Sequence, residues 1–519
     1  MGRLAPEPLP GNVGASRGVE VSQNGLARLR ACRAMSSVPN FLPGSIFGAT
    51  SRPEARALRL IRNPAAIFVV LASLFGLAAV FAIPPLRGAD ESAHFLRVYG
   101  ITQGEIVPSL SDARGRKGIF LPARLYDDYE FFETVRYRFS TPDFNYRQVF
   151  ADFLRRQRGP ADRPPVFVLY GGSEGYSPIA YVPYVAGALL GRLAGLDFVP
   201  MLLLMRLVGL IATTALAAWA IAIVPRFKWT FLFIAMLPIA QFERSIVCAD
   251  GAAMGLALLV TALCLRAACG SAAPAGDPPW QRAVWMALCV LIKPSQIVFI
   301  MLEGMTRPLK QLMRAWRSTA IVIIPGVILT TAWLAVGSAD MAAWRMMEGT
   351  GEPAEHFNIG WKLKFLLAEP QHFVHAALGS LGNLYQLWRE VGGELGWRDT
   401  HLPLWVDILL SAMFLAVCLV RIERDGFTRG RIAVVCWLTV LGYWIAIFLI
   451  FYLAWTPIET EWIHGIQGRY FTIILPPAAV AIAATVNRAP SETATAGVAV
   501  AGALLSGVAM MDAVIRSQW

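Results

Sequence analysis

Long apolar runs recur along the chain, and residues 65–84, 201–224 and 319–336 contain almost no charged side chains. About 20 consecutive apolar residues cross the hydrocarbon core of a bilayer as a helix. The pattern predicts an all-α polytopic membrane protein with about 11 transmembrane helices. We place the spans near residues 65–84, 200–224, 229–247, 250–268, 281–292, 295–305, 319–337, 404–421, 432–454, 470–487 and 496–514. The two short spans flank Lys293-Pro294 and are predicted to form a tight helical hairpin.

The first apolar run follows a basic tail. Residues 1–62 contain nine arginines and show little periodicity, so we expect a disordered cytoplasmic segment. Residues 63–515 are predicted to form the transmembrane domain. The run ends in Ile-Pro-Pro rather than in the small residues of a signal-peptide cleavage site, which favours an uncleaved first span. Met35 is an alternative start to Met1, because nothing before Met35 is typical of folded structure.

The basic residues predict the orientation of the spans, because short cytoplasmic loops carry an excess of Lys and Arg. With the N-terminus inside, the loops predicted to be cytoplasmic contain Arg226, Lys228, Arg266, Arg282, Arg307, Lys310, Arg314, Arg317, Arg421, Arg424, Arg429, Arg431 and Arg488. An odd number of spans then places the C-terminus outside. Residues 85–199 and 338–403 become two long extracytoplasmic loops, and 177–195 is interpreted as an interfacial helix.

The composition supports a membrane protein. Hydrophobic residues make up 56% of the chain and charged residues 16%, with a mean hydropathy of +0.52. These values exclude a soluble enzyme, a secreted scaffold and a nucleic-acid-binding domain. The net charge of +11 is explained by the cytoplasmic loops. The seven cysteines include no C-x-x-C pair, which argues against a disulfide framework or a zinc site.

Charged side chains are nearly absent from the middles of the predicted spans. Five lie toward span ends, where we expect them to extend to water: Arg206, Glu243, Arg244, Asp407 and Asp512. An ion-coupled transporter would place such groups near the bilayer midplane. The informative polar residues are instead predicted to lie on the extracytoplasmic face.

The first candidate site follows span one, at Asp90, Glu91 and His94. In a helix that begins near Asp90, the spacing places both acids on one face with the imidazole. Either acid could deprotonate an acceptor hydroxyl, and the three could hold a divalent metal such as Mg or Mn. We expect both acids to lie in a solvent-accessible turn. The alternative is that Asp90 caps the helix, Glu91 favours its positive end and His94 is a surface residue.

The second candidate site contains cations. Arg469, after Gly468, could bind a phosphate through two parallel hydrogen bonds, or could simply extend to water within an aromatic belt. Lys293, between two short apolar helices, must face water or an anion. Asp250, at the start of span four, is a further candidate, with helix capping as the alternative.

Taken in order, several segments resemble a known family. They are P-P-x-x-x-A-D-E-x-x-H at 84–94, Tyr176-Ser177-Pro178-x-x-Tyr181, the Asp250 turn, Lys293-Pro294 and Gly468-Arg469-Tyr470-Phe471. Over residues 65–490 the chain resembles the bacterial membrane proteins grouped as domain of unknown function 2142. That family looks like a branch of the GT-C glycosyltransferases, which use polyprenyl-phosphate-linked sugars.

The resemblance implies roles for individual residues. An acid of the first extracytoplasmic loop, Asp90 or Glu91, would act at the reaction centre. Arg469 and Lys293 would hold the donor phosphate, and His94, Tyr181, Asp250 and Tyr470 would support the site. At 246–248 the chain has Ile-Val-Cys where relatives often have serines, which weakens a hydroxyl role there.

The leading hypothesis is therefore a glycosyltransferase of the bacterial cytoplasmic membrane. It would move a sugar from a polyprenyl-phosphate donor to an extracytoplasmic envelope glycan, glycolipid or protein, with a divalent metal as an optional cofactor and no nucleic-acid partner. Aromatic residues of 126–146 and of the second loop would bind the acceptor. One alternative is a lipid-linked glycan ligase or polymerase that uses the second loop, with His356, Arg389, Arg398 and His401. Others are a precursor transporter or flippase, and a non-catalytic assembly partner.

Overall fold

The protein is a bundle of apolar helices. The computed structural model describes residues 63–136, 145–160, 162–270, 278–337, 356, 358–458 and 460–519. Within these residues, seven helices are long and apolar enough to cross a membrane: Pro64–Ala82, Phe198–Ile223, Asp250–Cys269, Trp316–Gly337, Gly426–Trp455, Gly468–Val486 and Glu492–Gln518. The chain is an all-α polytopic membrane protein, as predicted. The tail predicted at 1–62, the choice between Met1 and Met35, and most of 338–357 lie outside the described residues.

The elements are numbered in chain order. The α-helices are α1 (Pro64–Ala82), α2 (Glu91–Thr102), α3 (Ala123–Arg136), α4 (Tyr146–Arg155), α5 (Val182–Leu193), α6 (Phe198–Ile223), α7 (Lys228–Ala235), α8 (Pro238–Arg244), α9 (Asp250–Cys269), α10 (Pro279–Ile292), α11 (Leu309–Arg314), α12 (Trp316–Gly337), α13 (Ile359–Ala368), α14 (Pro370–Leu381), α15 (Leu384–Gly392), α16 (Leu404–Val417), α17 (Gly426–Trp455), α18 (Leu475–Val486) and α19 (Glu492–Gln518). The strands are β1 (Gly118–Leu121), β2 (Val166–Leu169), β3 (Glu394–Leu395) and β4 (Thr400–His401), and 3₁₀ helices occupy Ser173–Gly175, Pro178–Tyr181, Pro294–Met305 and Gly468–Ile474.

The predicted span 229–247 is not one helix. It divides into α7 and α8, because Pro238 lacks an amide proton and disfavours helical geometry at Leu237. Every residue from Phe231 to Asp250 is buried. Non-helical backbone is tolerated at membrane depth only where protein surrounds it. The apolar character of this segment therefore reflects burial inside the bundle rather than contact with lipid.

The predicted hairpin around Lys293 is present. α10 and the 3₁₀ helix Pro294–Met305 pack against each other, with extended backbone at Lys293 between them. At the far end of the hairpin, Arg282 donates two hydrogen bonds of 2.9 Å to the two carboxylate oxygens of Glu303. Both side chains are buried, so the pair ties the two arms together.

Contacts between distant segments define two ends of the bundle. At the Arg87 end, Arg87 pairs with Asp399 and donates to Gln518, which joins the first loop, the second loop and the end of α19. At the Arg226 end, Arg226 pairs with Glu423, which joins the loops after α6 and α16. Segments predicted to be extracytoplasmic thus meet at one end and those predicted to be cytoplasmic meet at the other. Which compartment each end faces stays a prediction.

The first long loop folds against the Arg87 end. β1 and β2 pair antiparallel, with Gly118 opposite Leu169. Aromatic side chains of α2, α3, α4 and α6 pack together beside this hairpin: Phe95, Tyr129, Phe132, Phe153 and Phe198. Within the segment predicted to be interfacial, α5 has 12 residues, which is too short to cross a bilayer.

Candidate active site

The turn after α1 holds Asp90 in a rare backbone conformation. Asp90 has φ 56° and ψ 12°, in the left-handed region that non-glycine residues seldom adopt. α2 begins at Glu91, but the Asp90 side chain makes no capping hydrogen bond to it. The capping alternative for Asp90 is therefore wrong. Backbone strain of this kind clusters at functional sites.

The Asp90 carboxylate instead pairs with Arg469. Nη2 of Arg469 lies 2.5 Å from Oδ2 of Asp90, although the two residues are 379 positions apart. The Arg469 side chain is 6% exposed, whereas that of Asp90 is 34% exposed. The alternative that Arg469 merely extends to water is wrong, because its guanidinium is buried against an acid. The candidate base and the candidate phosphate-binding cation therefore form one unit.

The remaining hydrogen-bonding capacity of Arg469 is unused. Among the described residues, Nε and Nη1 have no hydrogen-bond partner. Oε1 of Glu243, which is also unpartnered, lies 3.8 Å from Nη1, too far for a hydrogen bond. Because buried donors without partners are costly, this arrangement is more typical of a binding site than of a structural ion pair.

Lys293 and Asp250 form a second ion pair beside the first. Their side chains are 7% and 10% exposed, and Nζ of Lys293 donates to Oδ1 of Asp250. Nζ of Lys293 lies 5.1 Å from the centre of the Tyr470 ring, and the guanidinium carbon of Arg469 lies 5.3 Å from it. The aromatic ring thus brings both cations to one place by cation–π contact. We call Asp90, Glu243, Asp250, Lys293 and Arg469 the charged cluster.

Gly468 allows the backbone before Arg469 to pack closely on the second loop. Its amide donates to Oε2 of Glu390 in α15. A Cβ atom at position 468 would collide with the carbonyl oxygen of Leu387 and with the Glu390 side chain. The second loop therefore fixes the position of the backbone that carries the Arg469 side chain.

His94 lies behind the Asp90 turn. Its Nδ1 is 2.7 Å from the hydroxyl of Tyr181, and its ring meets that of Tyr176 edge-on at 5.3 Å. Burial lowers the pKa of His94 from 6.5 to about 4, and the carboxylates of Asp90 and Asp250 only partly oppose this effect. The imidazole is therefore neutral at physiological pH.

Glu91 faces away from the charged cluster. It is fully buried and accepts hydrogen bonds from Nε and Nη2 of Arg206 at 2.7 and 2.5 Å. The backbone amides of Val247 and Gly88 donate to the same carboxylate. Our expectation that Glu91 lies in a solvent-accessible turn is wrong. The carboxylate has no room for an acceptor hydroxyl, because its hydrogen-bonding positions are occupied within the protein.

The predicted metal ligands do not converge. Glu91 is directed to Arg206, and Nδ1 of His94 is directed to Tyr181, so Asp90 is the only one of the three that faces the cluster with Arg469. In the part of the chain that the structure describes, no group of three or more His, Cys, Asp or Glu side chains could hold a metal ion. Asp90, Glu91 and His94 therefore do not fit a three-ligand metal site.

A family model matches most of the chain. The model of a predicted membrane protein family, DUF2142, covers residues 73–478. The chain belongs to this family. The matched range contains all five residues of the charged cluster. No curated protein and no solved structure matches the chain.

In this DUF2142 protein, Glu243 is the cluster member that the sequence did not indicate. We expected Arg206, Glu243, Arg244 and Asp407 to extend to water, and this is wrong, because they are 0, 5, 4 and 2% exposed. The adjacent charges Glu243 and Arg244, in a segment that is mostly apolar, were the available signal. Its importance becomes visible only when the break at Pro238 places α8 inside the bundle.

The second loop of this DUF2142 protein uses its charged residues in contacts within the loop. Arg389 pairs with Asp407, and Arg398 pairs with Glu390. Nδ1 of His401 lies 3.7 Å from Glu394. Over the described residues, the cations proposed for a ligase surface are therefore distributed among separate acids rather than assembled around one position.

Proposed function

We propose that this chain is a membrane glycosyltransferase of the GT-C type. It transfers a sugar from a polyprenyl-phosphate-linked donor to an extracytoplasmic envelope glycan, glycolipid or protein. The observation that carries the proposal is the Asp90–Arg469 pair, in which a partly exposed carboxylate adjoins a buried guanidinium. Two nitrogens of that guanidinium have no hydrogen-bond partner among the described residues. The pair combines a proton acceptor with an anion-binding group, and glycosyl transfer from a lipid phosphate requires both.

Asp90 acts as the general base. Its carboxylate takes the proton of the acceptor hydroxyl while the hydroxyl oxygen bonds to the anomeric carbon of the donor sugar. The bond between that carbon and the phosphate oxygen breaks, and the phosphate leaves with the bonding electrons. The ion pair with Arg469 orients the Asp90 carboxylate, and its 34% exposure leaves part of the carboxylate open to an acceptor.

Arg469 and Lys293 stabilise the negative charge of the departing phosphate. Nε and Nη1 of Arg469, which make no hydrogen bond within the described part of the chain, are two donors of one planar group, the geometry that binds phosphate through two hydrogen bonds. Lys293 contributes a point charge across the Tyr470 ring. Asp250 holds Lys293 and Asp90 holds Arg469 in position before the donor arrives, which is the preorganisation that favours charge development in a transition state.

The test is transfer by purified protein in liposomes that contain a panel of polyprenyl-phosphate sugars, measured as release of polyprenyl phosphate. Asp90→Asn should lower turnover by about a hundredfold or more at equal folded amount, because it removes the base. Asp512→Asn is the matched control, since Asp512 is 42% exposed and pairs with its neighbour Arg516. Full turnover by Asp90→Asn would contradict the proposed base.

A transporter or flippase for a glycan precursor is the second candidate function. The buried charges of the cluster favour it over a ligase, since translocation requires polar groups within the bundle. The same liposomes separate the two functions. A transferase releases polyprenyl phosphate, whereas a flippase moves the intact donor between leaflets and releases none.

A further inference from the structure

A second charged region lies at the Arg226 end, away from the charged cluster. The loop between α16 and α17 borders a cavity of about 440 Å³. Arg421, Arg424 and Arg429 contribute to its lining, together with Asn487 from the end of α18. Oδ1 of Asn487 accepts a hydrogen bond of 3.0 Å from the amide of Ile422, which fixes the loop against α18. The cavity is therefore formed by elements that are distant in sequence.

The acids of this cavity are already engaged. Oδ1 of Asp425 accepts a hydrogen bond of 2.9 Å from the amide of Thr428 and so caps α17. Glu423 pairs with Arg226 outside the loop. Among the described residues, Arg421, Arg424 and Arg429 have no carboxylate partner. Arg226 balances Glu423, and the three guanidinium groups outnumber the remaining carboxylate of Asp425, so the cavity has a net positive charge.

Apolar side chains continue from the cavity along the outer surface of the bundle. Phe427, in the first turn of α17, is 76% exposed, and Val434 two turns later is 58% exposed. Val486, beside Asn487, is 45% exposed. Large exposed apolar residues on a membrane-spanning helix face acyl chains. A ligand that joins a negative headgroup to acyl chains therefore matches both parts of this surface.

We propose that the cavity binds the headgroup of an anionic phospholipid. Arg421, Arg424 and Arg429 bind the phosphate, and the acyl chains lie along Phe427 and Val434. Basic pockets between helices at one membrane surface recognise such headgroups by this combination. Free phosphate shares the charge but would leave the apolar surface unused. The site is independent of glycosyl transfer, since no residue of the charged cluster contributes to it.

The test compares phosphatidylglycerol with phosphatidylcholine of the same acyl chains, each titrated into the detergent-solubilised full chain and counted by native mass spectrometry. Three arginines at a membrane surface should favour the anionic lipid by about a hundredfold. The variant R421Q/R424Q/R429Q should lose that preference. The variant K310Q/R314Q/R317Q is the control, because it removes the same number of positive charges from the same end of the bundle. These residues follow Met305, whose carbonyl oxygen accepts a hydrogen bond from Arg431 near the start of α17.

The control should retain the preference for phosphatidylglycerol. Equal losses in both variants would mean general surface attraction and would overturn the site. Complete displacement of the lipid by millimolar inorganic phosphate would overturn the commitment to a lipid. The variant R421K/R424K/R429K keeps the positive charge, and it tests the site even if the glutamine variant fails to fold. It should bind with intermediate affinity, because lysine lacks the planar two-pronged geometry, and affinity equal to the glutamine variant would contradict a charge-based site.

Discussion

Asp90 and Glu91 are adjacent in the chain, yet their carboxylates occupy different environments. Glu91 is fully buried and receives four hydrogen bonds, two from Arg206 and two from backbone amides. Asp90 is partly exposed and pairs with Arg469, of which two nitrogens make no hydrogen bond to any residue that the structure describes. Each carboxylate therefore pairs with an arginine, but only the Asp90–Arg469 pair has hydrogen-bond donors left for a ligand.

The difference separates a structural role from a chemical one. Arg206 also donates to the carbonyl oxygens of Val80, Ile83 and Pro84, so the Glu91–Arg206 pair joins the end of α1 to α6. The bond from Val247 extends this connection to the segment that leads into α9. The Glu91–Arg206 pair thus holds the backbone that positions Asp90 for its ion pair with Arg469.

The largest effect is expected from Glu91→Gln. The substitution leaves the buried Arg206 without its counter-charge, and breaking a buried ion pair in this way costs about 3–5 kcal/mol. We expect a strong loss of folded protein, measured as abundance in membranes and as the midpoint of thermal unfolding. Glu423→Gln is the control, because the Arg226–Glu423 pair is about 60% exposed and should contribute little. Normal stability of Glu91→Gln would remove the distinction between the two pairs.

A smaller effect is expected from Arg469→Lys, and it should fall on activity. Lysine keeps the charge but cannot provide two parallel hydrogen bonds to phosphate, so transfer should fall by about ten- to a hundredfold. Arg469→Ala should lower it further. The measurement is donor-dependent transfer at equal folded amount. Wild-type donor dependence in Arg469→Lys would remove the residue from the proposed phosphate site.

The smallest effect concerns pH and His94. The unfolded chain binds a proton near the ordinary pKa of 6.5, whereas the folded protein resists protonation until about pH 4. As far as this group is concerned, stability is therefore highest above pH 6.5, where the imidazole is neutral in both states, and it is lost progressively as the pH falls from 6.5 toward 4. Thermal unfolding at pH 6.5 and 4.5 should show a smaller pH effect in His94→Gln than in wild type. Identical pH effects would mean that His94 is solvated in the folded protein.

The sequence indicated the residues of the charged cluster better than their partners. Asp90, Asp250, Lys293 and Arg469 each stand out locally, as polar residues at the ends of apolar runs. The role of Glu91 depends on Arg206, which lies 115 positions away, and no local pattern distinguishes a buried acid from an exposed one at the start of a helix. Glu91 has a structural role because Arg206 is buried beside it, and that burial arises only when the helices of the bundle assemble.

The helices show the same limit. Length and hydropathy were sufficient for α1, α6 and α12, whose outer faces expose apolar side chains. They were insufficient for α7 and α8, because a segment surrounded by protein is as apolar as one surrounded by lipid. Pro238 was the available signal for the break, but proline also occurs inside membrane-spanning helices, as Pro325 does in α12.

The broken passage through α7 and α8 has a consequence for how the protein is made. Its Glu243 and Arg244 would each oppose entry of an isolated segment into the bilayer, by about 2.5–3.5 kcal/mol for a charged side chain placed centrally. In the finished bundle both side chains contact protein, and Arg244 donates to the carbonyl oxygen of Ala235. We therefore expect insertion of this segment to depend on the helices that surround its two charged side chains in the folded bundle.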